Sequence, residues 1–139
     1  MADNPISILH RLRASSGPKD TVGLNDDVIE DFCASDAELV QAIQEAGELH
    51  NALLDEFGED IMSLPEAELI KHLQSDYVNF YSAATVNPYI PIAGRGPWLV
   101  TACGAVLHDN GGYGMLGSGH GPSSIIGAMS ENWVMANVM

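Results

Sequence analysis

Asp109, Ser118 and His120 bring an acid, a hydroxyl and a base into one short stretch, the residue types that acyl transfer through serine uses. The serine sits in Leu116-Gly117-Ser118-Gly119-His120, which is not the G-x-S-x-G pattern of a nucleophile elbow. One glycine-rich loop carrying both Ser118 and His120 also gives little control over their geometry. A hydrolytic triad is not expected. His108, Asp109 and His120 are metal-ligating types, but neither spacing matches a common zinc signature, and a histidine beside a strand is more often hydrogen-bonded than metal-bound. Gly112-Tyr113-Gly114-Met115-Leu116-Gly117 spells G-x-G-x-x-G after a predicted strand. A dinucleotide site needs that turn to open a helix inside a βαβ unit, with an acid some twenty residues further on. Here further glycines follow at 119 and 121, the predicted helix begins only after Pro122, and no such acid is present.

The elements that would hold these residues change character near residue 85. Ile6, Leu9 and Leu12 give a short helical pattern, followed by the turn-like Ser15-Ser16-Gly17-Pro18. A brief helix is predicted over 26–33 with Asn25 as its N-cap. The clearest helix follows. Ser35 and Glu38 form an S-x-x-E capping-box pattern. Leu39, Ile43, Ala46, His50, Leu53 and Phe57 then recur at three- and four-residue spacing, and Gly58 suits the helix end. A third helix is predicted from Ser63, with Pro65 in its first turn and Leu69, Ile70, Leu73, Tyr77, Phe80 and Tyr81 on its apolar side. It ends before Asn87-Pro88 and is expected to pair with the second as an antiparallel hairpin. Trp98-Leu99-Val100-Thr101 and Ala105-Val106-Leu107-His108, separated by a turn at Gly104, read as a β-hairpin. Six of the twelve residues from Asn110 to Gly121 are glycine, which excludes a stable helix there, and a short helix is predicted from Pro122 through Met129.

The expected architecture is therefore α+β: N-terminal helices, a small antiparallel hairpin or sheet, a glycine-rich loop and a short C-terminal helix. Two segments of one structural unit are read, 1–86 acidic and helical, 87–139 built from the hairpin, loop and helix. Of 139 residues, 46% are apolar, enough for one real core. No run approaches the roughly 18 apolar residues of a spanning helix. Residues 1–76 hold 17 of the 19 acids against Arg11, Arg13, Lys19 and Lys71, whereas 77–139 hold Asp109 and Glu131 against Arg95. A net charge of −14 repels nucleic-acid phosphates and anionic lipid, so neither is an expected partner. The acidic segment reads as a solvated face, with a docking surface for a basic protein as the alternative. Cys33 and Cys103 have no metal or redox spacing, and the start of the chain has no signal-like pattern, so reduced thiols in the cytoplasm are expected.

The longest pattern runs Gly94-Arg95-Gly96-Pro97-Trp98-Leu99-Val100-Thr101-Ala102-Cys103-Gly104-Ala105-Val106-Leu107-His108-Asp109. Together with Asn87-Pro88 before it, and Leu116-Gly117-Ser118-Gly119-His120-Gly121-Pro122 and the helix after it, this resembles the N-terminal segment of class III pyridoxal-phosphate-dependent aminotransferases. In that family a glycine precedes an aromatic-led strand, a glycine turn and a second strand ending at an aspartate. A glycine-rich stretch, a Leu-Gly-His-type turn and a helix follow. Thr101 stands where an acid is common, Ser118 stands where the turn's first histidine would be, and the stretch between Asp109 and Gly117 is shorter than usual.

The resemblance implies amino-group transfer through pyridoxal phosphate in the complete enzyme. It also implies a glycine loop near the substrate entrance, with Gly112, Tyr113 and Gly114 as the lining candidates. The chemistry requires a Schiff-base lysine, an acid facing the pyridine nitrogen and a phosphate cradle. The family carries all three later than the matched segment. The only lysines here are Lys19, beside a Gly-Pro turn, and Lys71, beside Glu68 on a helix face, and both read as surface residues. No catalytic or cofactor-binding residue is therefore expected in this chain, which on its own would bind no cofactor. The apolar run from Trp133 to Met139 is expected to be buried by the catalytic remainder of the enzyme or by a second copy in a homodimer.

Overall fold

The first helix begins where the chain supplies its own cap. Asn4 Oδ1 accepts from the Ile6 amide at 2.9 Å, and Pro5, which has no amide proton to satisfy, opens α1 (Pro5–Ser15). The computed structural model describes residues 4–75, 85, 88–110 and 117–132. Within them α1 is followed by α2 (Asp26–Cys33), α3 (Ala37–Phe57), α4 (Glu59–Met62), α5 (Glu66–Gln74), β1 (Pro91–Arg95), β2 (Trp98–Thr101), β3 (Val106–His108) and α6 (Ser123–Met129). The α+β reading holds: N-terminal helices, a three-stranded antiparallel sheet in the order β1-β2-β3, and a short C-terminal helix.

The N-cap of α3 is Asp36, not Ser35. Asp36 Oδ1 accepts from the amides of Glu38 and Leu39 at 3.0 and 3.2 Å. The amides of Ser35 and Asp36 both donate to Phe32 O and close the end of α2 just before this cap. Gly58 ends α3 as expected, at φ +80° and with its amide on Leu54 O. The third predicted helix divides. Residues 59–62 form α4, Pro65 caps α5, and α5 is described as far as Gln74, so Tyr77, Phe80 and Tyr81 lie outside the described residues. The helix packed along α3 is α1, while α5 meets the end of α3 through a cluster that includes Leu53, Leu54, Phe57, Leu69 and Leu73.

Strand β1 is absent from the sequence reading. Proline at its first position and glycine at 94 weaken the strand signal of 91–95, yet an edge strand tolerates both. It pairs Arg95 with Trp98 and Gly94 with Leu99, while β2 pairs Trp98 with His108 and Val100 with Val106. Alternation along β2 sends Trp98 and Val100 into the core. There they join Leu39, Ile43 and Ala46 of α3, Leu9 and Leu12 of α1, and Ile29 of α2. Both segments of the chain thus share one core, each of its large apolar side chains contributing about 1.5–3 kcal/mol. A second cluster joins Met62 and Leu69 to Ala102 and Cys103 at the turn after β2.

Candidate functional site

The two-residue turn between β1 and β2, Gly96-Pro97, is gripped from two sides. On the helical side, Arg95 Nε and Nη2 reach both carboxylate oxygens of Glu45 on α3 at 2.6–3.2 Å. Trp98 Nε1 donates to Asp36 Oδ2 at 2.8 Å, so one carboxylate both caps α3 and satisfies the buried indole. Hydrogen bonding from Trp98 is the largest influence holding the Asp36 carboxyl below its ordinary range, and the Arg95 pairing does the same for Glu45. Phe32 and His108 close on the Trp98 ring edge-on, with centroids at 5.0 and 4.8 Å.

On the other side, the end of the glycine-rich segment folds back onto the same turn. Gly96 and His120 exchange backbone hydrogen bonds at 3.0 and 2.7 Å, Asp109 N donates to Pro97 O at 2.7 Å, and Arg95 Nη1 donates to Gly121 O at 2.7 Å. Glycine is required at 119: its φ is +71°, and a Cβ there would stand 2.8 Å from Gly96 Cα. His120 Nε2 lies 2.9 Å from Asp109 Oδ2, which ties the two ends of the glycine stretch together.

A cleft of about 370 Å³ opens at this junction, lined by Glu38, Gly96, Pro97, Asp109, Gly117, Ser118, Gly119 and His120. The fold therefore brings Asp109, Ser118 and His120 to one place, as their sequence proximity suggested. It does not join them into a triad, because Ser118 is exposed and, among the described residues, makes no hydrogen bond to His120. Nor does it form a metal site: no group of three His, Cys, Asp or Glu suited to an ion occurs among the described residues, and His108 lies against Trp98 instead. The G-x-G-x-x-G run opens no helix at Gly117, since α6 starts at Ser123, and the sheet beside it is antiparallel. Gly112, Tyr113 and Gly114 lie outside the described residues.

Sequence reading missed Glu38, Gly96 and Pro97 as lining residues and Arg95 as the clamp. One signal was available: Arg95 is the single Lys or Arg in residues 77–139, and it follows an acidic helical segment. Two carboxylates and no Lys or Arg among the described lining residues make the cleft a better host for a cation or hydrogen-bond donor than for an anion. Pyridoxal phosphate does not fit these residues. Lys19 and Lys71 are both exposed and neither lines the cleft, and no Lys or Arg stands among its described lining residues to receive a phosphate. Comparison of the chain with protein-family models, curated proteins and solved structures gives no match.

Proposed function

We propose that this chain is the N-terminal part of a class III aminotransferase, serving amino-group transfer through pyridoxal phosphate and not catalysing alone. The cofactor lysine, the pyridine-facing acid and the phosphate cradle come, in this reading, from the catalytic remainder of the enzyme, assembled with this chain or in a homodimer. The observation that carries it is the order of elements from 94 to 129. An aromatic-led strand, a turn at Gly104 with φ +71°, a strand followed by Asp109, a glycine-rich stretch of sequence and a helix occur in the order the resemblance implies. The exposed positions of both lysines support a non-catalytic role for the chain by itself.

Within this reading the sheet and the glycine stretch from 110 to 121, with Gly112, Tyr113 and Gly114, form part of a substrate entrance. The net charge of −14 disfavours nucleic acid and anionic lipid as partners in this reading. Among the described residues no helix is long and apolar enough to cross a membrane. Free Cys33 and Cys103 suit a cytoplasmic setting. The rival reading, an acidic module docking on a basic protein, draws on the exposed Asp27, Glu30 and Asp31 of α2. It is weakened by Asp36, Glu45 and Glu66, which are engaged inside the fold.

The reading frame downstream of Met139 tests the proposal first. A continuing frame encoding a lysine-bearing cofactor domain supports it. Co-expression of the two parts should then give the visible absorbance of bound pyridoxal phosphate, and this chain alone should give none. A basic protein captured with high affinity through α2, together with no cofactor absorbance from the joined parts, would favour the rival.

A further inference from the structure

We infer that the joint between α1 and α3 is an acid-sensitive catch, in which protonation of His50 loosens α1 from the molecule before the rest of the core yields. His50 lies on α3 and is 3% exposed. Its Nε2 is 2.7 Å from the hydroxyl of Ser15, the last residue of α1. That hydroxyl also stands 3.0 and 3.1 Å from the carbonyl oxygens of Arg11 and Leu12. With one proton to give, Ser15 donates to a carbonyl and accepts from the imidazole, which fixes the proton of neutral His50 on Nε2. Nδ1 is then a lone pair, buried and without a hydrogen-bond partner among the described residues. The opposite tautomer would bury an N–H with no acceptor, the more costly arrangement.

A second proton must go to Nδ1, where no acceptor awaits it. Desolvation accordingly holds the imidazole below its ordinary range. Among the described residues, burial is the only cause acting on this imidazole. Arg11 of α1 lines the cavity of about 220 Å³ beside His50 and is itself a cation, while Asn51 of α3 is neutral. Asp26 of α2 is engaged by Arg13 and His10 of α1. The same pocket, walled by Ile8, Leu12 and Leu54, opens the joint between α1 and α3 to solvent on one side. Loosening α1 would also release Arg13 Nε from the Gly104 carbonyl, 2.9 Å away, and so reach the turn between β2 and β3.

The sign follows from linkage. A base that binds its proton less readily folded than unfolded stabilises fully above its ordinary range, and that contribution fades as pH falls below it. Two measurements on the full chain test the catch: the imidazole NMR titration of His50, and amide exchange from pH 7.5 to pH 5. His50 should titrate below the ordinary histidine value of about 6.5. Exchange across α1, corrected for its intrinsic rate, should rise by up to about tenfold per pH unit below that value, ahead of residues 39–46 in α3. His50→Leu should remove the rise. Titration at or above the ordinary value, equal acceleration in α1 and α3, or an unchanged rise in the variant would each overturn the proposal. If the variant does not fold, the wild-type titration and the contrast between α1 and α3 decide.

Discussion

The helical segment and the glycine-rich segment are ordered by different means. In α3 five side chains are buried, Leu39, Ala42, Ile43, Ala46 and His50, and both ends are capped by the chain itself. In α6 no residue is buried, and Ile126 and Met129 stand 51% and 64% exposed. Residues 94–110 and 117–121 hold their shape instead by backbone bonds at one turn and by carboxylates of the helical segment, Asp36 on Trp98 and Glu45 on Arg95. Apolar periodicity is enough to place a helix. A glycine-rich return needs fixed donors and acceptors brought from elsewhere in the chain.

Trp98 is where the two kinds of order meet, so its loss should cost most. Trp98→Ala removes a side chain at 1% exposure and strands the second oxygen of Asp36. Urea unfolding should show a loss of about 3–5 kcal/mol. A loss under about 1 kcal/mol would mean that the helices stand without the sheet. Gly119→Ala acts on the other grip. Positive φ and the clash with the Gly96 backbone should cost about 1–3 kcal/mol, with faster amide exchange at Gly96 and His120 and little change in α3. Equal exchange changes in α3 would erase the distinction between the segments.

Asp36→Ala comes next. The α3 cap and the indole acceptor go together, at a cost of about 1–2 kcal/mol in thermal or urea unfolding. The same carboxylate gives a pH signature. Asp36, Glu45 and Asp26 are held below their ordinary ranges, chiefly by Trp98, Arg95 and Arg13 in turn. Their unfolded forms take protons first as pH falls, so stability is full above the carboxylate range and declines below about pH 4. Asp36→Asn should flatten part of that decline; an unaltered acid limb would remove Asp36 from the account. The smallest effect belongs to α6, where Ile126→Ser should change unfolding of this chain by less than about 0.5 kcal/mol.

The same contrast explains what was readable. Leu39 to Phe57 announced α3 through spacing, Gly58 announced its end, and Trp98 to Thr101 read as a strand because a short apolar run of β-favouring types precedes the turn at Gly104. Strand β1 was hidden, since Pro91 and Gly94 carry the wrong local propensity and the strand exists only through its pairing with β2. The cap falls one residue beyond Ser35, because Asp36 Oδ1 is the oxygen that reaches the amides of Glu38 and Leu39. Asp109, Ser118 and His120 were readable as neighbours in sequence. Their lining partners Glu38, Gly96 and Pro97 were not, because no local pattern connects residue 38 to residue 120.

The claim that this chain supports amino-group transfer only with a cofactor-bearing remainder is tested most directly by borohydride reduction with pyridoxal phosphate, followed by peptide mass mapping. Alone, the chain should yield no stoichiometric adduct, and in the assembled enzyme the adduct should fall on a lysine outside residues 1–139. A stoichiometric adduct at Lys19 or Lys71 of the isolated chain would contradict the account.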